Sequence, residues 1–485
     1  MMQELIGFAP DAEPRTPGIM TDCQNIVPFE KGFRSAPLPQ AVGLPALAGE
    51  CRGSAVVRDL TNNARLFAGT ATKLYEAAST SWTDISAGGG TYSLGSEDRW
   101  SFCQFGNSSI AATPTKKIQL STSGAFAEIT GAPNAYIVES ATNFVLAFHT
   151  SDATYGDQPD RWWCCALYDA TSWTPSVATQ ATTGRILDGQ GGFTAAKRFG
   201  SDVVAYKERG VFVGRYAGAP VVWQWTPVSE DVGCVGPEAV AVTSIGHVFV
   251  GSDNIYLFDG TRPVPLATDT VRQWWLDNSS AQYRGRTKLL WDRFSNLVWI
   301  YFPSATSSGL ADYCLVFHVL TKRWGRADTS VEAVLTYISN GGVTFDGTSS
   351  TIVDFETGPT FTFDSVRWLN QSESPAVFTS AHQLQTLTAA SSSSSFTTGE
   401  IGDAVEATMC TGVRLQSSTI SDIVDCYGFT KKTAGANAVQ RIVAELNDGS
   451  FDIRQTSRYH YFRFDFSGDN RFSAMEVDLL PAGRR

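Results

Sequence analysis

Residues 236–268 constrain the fold more than any other part of the chain. They hold four short runs rich in Val, Ile, Tyr and Phe, residues that suit a pleated, half-buried surface. The breaks at Ser244-Ile-Gly246, Ser252-Asp-Asn254 and Asp259-Gly260 leave room only for tight hairpins. Four antiparallel strands in this little chain form a meander of the size of one β-propeller blade. Such a sheet cannot bury both faces alone and needs copies of itself on either side.

Similar units recur on both sides, roughly every 35–50 residues, a period typical of propellers and solenoids. The pattern predicts strand units beginning at Ser54, Trp100, Ala135, Phe193 and Thr287, with a weaker seventh over Val334 to Phe363. An aromatic recurs near the end of the third run (Tyr75, Tyr168, Tyr216, Phe258, Phe317). Helical periodicity is nearly absent. One short helix is expected around Thr268 to Leu276, capped by Thr268 or Asp269 and carrying Val271, Trp274 and Trp275.

The expected organisation has three parts. Residues 1–52, interrupted by Pro14, Pro17, Pro28, Pro37, Pro39 and Pro45, form an extended arm that lies along something else. Residues 53–366 form an irregular, all-β propeller of about six or seven blades. Residues 367–485 form a C-terminal antiparallel β module, sandwich-like, with a Ser-rich loop at the serine run 391–395. Within it, Asn447-Asp-Gly449 is a hairpin turn, and His460 to Phe466 alternates as a strand with one polar face.

No catalytic, cofactor-binding or metal site is expected. The five histidines, His149, His247, His318, His382 and His460, are scattered without ligand spacing. Gly189 to Gly192 lacks the lysine of a phosphate loop, and no Gly-x-Ser-x-Gly elbow occurs. Asp253, Asp259 and Asp346 sit in turn contexts, where Asp is expected without calcium. Propellers host glycosidases, but sialidase-type Asp boxes are missing. The 13 tryptophans are read as wedges between sheets before sugar platforms. Nine scattered cysteines without Cys-x-x-Cys point to reduced, buried thiols and synthesis in a cytoplasm. No secretory leader or transmembrane run is expected, so Asn107, Asn278 and Asn370 are not read as glycosylation sites. A net charge of −11 disfavours tight binding to nucleic-acid phosphates.

Three segments resemble the tail nozzle proteins of short-tailed, double-stranded DNA bacteriophages, also called tail tubular protein B or phage stabilisation proteins. They are Gln24-Asn-Ile-Val-Pro-Phe-Glu-Lys-Gly-Phe-Arg-Ser-Ala-Pro37, the blade Val248 to Gly260 with the Trp274 helix after it, and the ending from Tyr459-His-Tyr-Phe-Arg-Phe-Asp-Phe to Pro481-Ala-Gly-Arg-Arg485. The resemblance implies a virion protein, assembled in the host bacterial cytoplasm, with six copies in a ring below the head-to-tail adaptor. It further implies that packaged DNA is retained and later passes through the channel without sequence-specific binding, and that fibres, spikes or a needle dock on the ring. The resemblance assigns no individual residue to an interface. The alternative is a carbohydrate-binding or glycan-hydrolysing propeller, a receptor-binding tail module. Clustered carboxylates on an open propeller axis would favour that alternative.

Overall fold

The computed structural model describes residues 2–338, 373–402, 405–419, 424–433 and 436–483. Blade 5 forms as its residue pattern dictates. Val240–Thr243, Gly246–Val250, Ile255–Phe258 and Pro263–Pro265 pair in sequence order, each antiparallel to the next. Blades 1 (54–84), 2 (101–128) and 6 (288–327) are likewise four-stranded meanders near the expected positions. In blade 3 the fourth strand is Thr182–Arg185, whereas the sequence placed it at Trp173 to Val177. Trp173 is instead buried in the loop, its Nε1 donating to the Ala170 carbonyl at 2.9 Å. Blade 4 has three strands, because its second and third runs join through Gly210 into one long strand, Asp202–Gly218.

The first strand of each blade packs on the first strand of the next. Ser54–Arg58, Ser101–Phe105, Asn134–Ala141, Gln190–Phe199, Val240–Thr243, Lys288–Asp292 and Val331–Ile338 follow one another around an axis, and the last returns to the first. The architecture is therefore a closed, seven-bladed, irregular β-propeller. Its apolar side chains pack between sheets, as in the Phe148, Trp162, Trp223 and Trp225 cluster between blades 3 and 4. The Trp100 wedge between blades 1 and 2 lies so close to Gly69 that a Cβ there would meet its indole.

Blade 7 departs from the expected boundaries. Only residues 334–338 of the predicted unit, inside the strand Val331–Ile338, lie among the described residues; the remainder to Phe363 falls outside them, as do Asp346 and Asn370. Its next strands are Glu373–Thr379 and Leu384–Ala389, which the sequence had assigned to the C-terminal module. Its outermost strand is Leu38–Ala41, from the arm. The propeller thus closes by pairing the two ends of its own sequence.

The remaining arm is strand too. Met2–Glu4 pairs with Arg471–Pro481, and Gly7–Phe8 lies parallel to Ile19–Gln24. The hairpin Ile26–Phe29 and Gly32–Ser35 bridges Trp324–Ala327 of blade 6 to Arg471–Pro481 of the terminal module. Blade 6 and one sheet of that module therefore share a ten-stranded sheet. Its second sheet runs from Gly7–Phe8 and Ile19–Gln24 through Ser393–Thr398, Tyr459–Ser467 and Val424–Lys431 to Val439–Glu445. Phe396 and Phe466 of this sheet stack on Phe472 of the other, with ring centroids 5.0 and 5.2 Å apart.

The serine run is not a loop. Ser393–Thr398 is a strand clamped between Ile19–Gln24 and Tyr459–Ser467. Small side chains fit between two close neighbours, and Ser394 is buried with its hydroxyl 2.9 Å from that of Ser35. Two strands from distant parts of the chain supply ladder bonds that outweigh the local loop signal. Asn447 to Ser450 is a tight turn with Asp448 and Gly449 both at positive φ, the conformation Asp-Gly favours. In Tyr459–Ser467, Phe462, Phe464 and Phe466 point inward while Arg463 is exposed.

The helix is Arg272–Asn278, with Trp275 buried, but Thr268 and Asp269 do not cap it. The Asp11 carboxylate of the arm accepts the backbone N–H groups of Gln273 and Trp274, the latter at 3.0 Å. A tertiary partner thus meets the need for acceptors at a helix start.

Gly325 tests the arm seam. A Cβ there would clash with the Ile26 carbonyl, between blade 6 and the arm hairpin. Gly325→Ala is expected to cost about 1–3 kcal/mol through overpacking against backbone, read as a lowered urea midpoint.

Candidate functional site

The propeller axis is the first place to look for chemistry. A passage of about 170 Å³ runs there, lined among others by Arg99, Trp100, Tyr136, Lys197 and Glu238. Each comes from the first strand of a blade or the residues leading into it, so the first run of each unit was the signal for the lining. A volume of this size holds a handful of waters at about 30 Å³ each.

Glu238 is the one carboxylate among the lining residues, and it is engaged. Its Oε2 accepts from Nζ of Lys288, which is buried on blade 6. Arg99 donates from Nη1 to the Ser96 and Asp98 carbonyls, both at 2.9 Å. Tyr136 stacks on His149 with ring centroids 3.9 Å apart. His149 Nε2 is 3.8 Å from Asp157, too far for a hydrogen bond. Burial pushes the His149 pKa down, so at neutral pH the contact is dipolar rather than ionic. On blade 3, burial raises the Glu139 carboxyl while Lys197 draws it back. The lining therefore presents the cations Arg99 and Lys197 and one carboxylate held by Lys288, not the carboxylate pair that glycoside hydrolysis uses.

Near the start of the Val331–Ile338 strand, Cys51, Glu332 and His382 come together. Glu332 Oε2 accepts the Cys51 backbone N–H at 2.9 Å, and Oε1 lies 2.6 Å from His382 Nδ1. The residue types suggest a nucleophile, base and acid. The geometry does not, because the carboxylate holds the cysteine backbone rather than its thiol. The thiol is buried, points to the Gly53 carbonyl, and is pushed well up by burial. A thiol so placed is not a thiolate at neutral pH.

The other residues singled out in the sequence have structural roles. Gly189 begins a strand entry held by Lys207, whose buried Nζ donates to the Ile186 and Asp188 carbonyls between the rings of Phe193 and Phe212. The lysine at this glycine-rich turn binds carbonyls, leaving no phosphate cradle. Asp259 accepts from Thr261 within its own turn, at 2.9 Å from the backbone N–H. Asp253 accepts from the Tyr256 hydroxyl at 2.9 Å. Among the described residues no group of three or more His, Cys, Asp and Glu could hold a metal. The histidines stay apart: His247 lies between blades 4 and 5, His318 in blade 6, and His460 in the terminal module.

All nine cysteines are buried and unpaired. In the folded protein none is expected to react with an aromatic disulfide reagent within minutes, and all nine should react in urea. Absorbance of the released thiolate counts them, and fast native labelling would contradict the packing.

No family model and no curated protein matches the chain. Solved structures similar to it include the WD40 domain of Neurospora crassa Pan2, 9% identical, with a TM-score of 0.36 over 70% of this chain and 88% of that one. BamB from Moraxella catarrhalis is 11% identical, with a TM-score of 0.34 over 66% and 92%. YCF48 from Cyanidioschyzon merolae is 12% identical, with a TM-score of 0.33 over 60% and 88%. The blade assignment rests on this chain's own strand pairing.

Proposed function

We propose that the protein is a structural subunit of a tail nozzle ring in a short-tailed, double-stranded DNA bacteriophage. In this reading six copies sit below the head-to-tail adaptor, form the ejection channel and help retain the packaged genome. No catalytic step is assigned. The observation that carries the reading, beside the three resembling segments, is the ten-stranded sheet shared by blade 6 and the terminal module. An arm pairing with both the propeller and the terminal module couples the two through backbone hydrogen bonds, as a component under pressure from packed DNA requires. The axial passage, about 170 Å³, is far too small for a duplex, so DNA would pass between copies and not through a propeller. A net charge of −11 suits a wall that DNA slides past without sticking. Among the described residues no helix is long and apolar enough to cross a membrane.

Purified protein mixed with the adaptor ring and imaged in negative stain should show closed rings with six-fold symmetry, the arrangement that heterologous contacts produce when they close. Mass measurement of purified virions should find six copies or a multiple. A chain absent from virions overturns the proposal. The glycan-hydrolase alternative finds no support on the axis, where Glu238 is held by Lys288.

A further inference from the structure

A second cavity, about 610 Å³, opens where blades 6 and 7, the arm and the terminal module meet. Two arginines face it. Arg34 and Arg471 are directly opposed partners across adjacent strands, so their side chains share one face. Both guanidiniums lie over the Phe29 ring, at 5.9 and 5.3 Å from its centroid. Like charges placed directly opposite are unfavourable in a sheet unless something sits between them.

Among the described residues neither makes an ion pair, although Asp292, Glu373 and Asp469 line the same cavity. Each carboxylate has a nearer partner: Glu373 Oε1 lies 3.5 Å from Arg58 Nη2, and the two aspartates accept backbone N–H groups. Asp292 Oδ1 accepts the Phe294 and Ser295 N–H groups, and Asp469 Oδ1 accepts that of Ser391 at 2.8 Å. Arg34 reaches only the Ser295 hydroxyl, at 3.3 Å, while its Nε is shut from solvent without an acceptor. Burial makes the Arg34 charge harder to hold; Asp292 and, more weakly, Asp469 offset part of this, and Arg471 adds to it. A buried donor without a partner is costly. It marks a place where an acceptor belongs.

We propose that this cleft binds a carboxylate group, held between the guanidiniums of Arg34 and Arg471. A carboxylate matches the planar forks of two arginines and brings a single negative charge. A phosphate dianion would share the cleft with Asp292, Glu373 and Asp469 and is disfavoured. The carboxylate has two sources, a free small acid or an acidic side chain of a neighbouring chain, which present the same oxygens. The site does not depend on the ring assignment.

The test is calorimetric titration of the full chain with four probes: glutarate, acetyl-Ala-Glu-Ala-amide, its Gln counterpart and inorganic phosphate. Glutarate or the Glu peptide is expected to bind at least tenfold more tightly than the Gln peptide and phosphate. The tighter of the two identifies the source. Arg471→Gln and Arg34→Gln should each weaken that binding tenfold or more. Arg471 is exposed, so Arg471→Gln should leave the ligand-free Tm unchanged or slightly raised, because it removes a like-charge opposition. A purely structural role for the pair predicts a lower Tm instead. The proposal is overturned if neither carboxylate binds, if the Glu and Gln peptides bind alike, if phosphate binds more tightly, or if Arg471→Gln binds as the parent does.

Discussion

A chain that begins at residue 42 is expected not to fold cooperatively. The deletion removes the outer strand of blade 7, both strands linking blade 6 to the terminal module, and two strands of the second module sheet. Among the lost side chains, Leu5, Phe8, Ile19, Met20, Cys23, Ile26, Val27 and Phe33 are each at most 1% exposed. Burying one large apolar side chain is worth about 1.5–3 kcal/mol. Most of this set together exceeds the net stability of an ordinary domain, about 5–15 kcal/mol. The loss also uncovers backbone edges of Trp324–Ala327, Leu384–Ala389 and Ser393–Thr398, which would invite aggregation. Far-ultraviolet circular dichroism and urea titration should show a broad transition or none, with a shifted or aggregated profile on size exclusion. One sharp transition at the parental midpoint would show that the arm is dispensable. A milder probe is Phe33→Ala, expected to cost about 3–5 kcal/mol by opening a cavity beside Phe472.

Acid is expected to weaken the fold well above the range where carboxylates titrate. His247 is fully buried between blades 4 and 5, with Nδ1 2.9 Å from the Tyr206 hydroxyl and Nε2 2.9 Å from the Arg198 carbonyl. Donation from Nε2–H to Arg198 and acceptance by Nδ1 from Tyr206 satisfy a neutral ring. Burial lowers its pKa to about 4. The unfolded chain, with a pKa near 6.5, takes up the proton first. The neutral ring's contribution is therefore complete above about pH 6.5 and is lost as pH falls toward 4. For His247 alone the loss at pH 5 is about 2 kcal/mol. Burial likewise lowers His149, His318 and His460, which act in the same direction. Glu139 and Glu332, raised by burial, act oppositely and blunt the slope. Urea midpoints at pH 7.5 and 5.0 measure the net effect. His247→Gln should be less stable at pH 7.5 yet lose less on acidification. An unchanged pH slope in that variant would assign the acid sensitivity elsewhere.

The blades were legible because each carries its own signal. Blade 5 shows this best: tight turns and β-branched runs specify a meander through contacts a few residues apart. The axis lining was half-legible, since first strands could be recognised but not which of their side chains face inward. The Arg34–Arg471 pair was invisible, because its members lie near opposite ends of the chain and meet only through an inter-strand register.

By itself, the sequence determined the all-β class, six of the seven blades and the buried state of the cysteines, because alternation, turn chemistry and apolar content act locally. Tertiary structure alone decided where the ring closes, that a serine run becomes a strand, and that Asp11 caps the only described α-helix. Those outcomes depend on backbone groups and charges whose partners lie hundreds of residues away, and no local pattern encodes a partner at that distance.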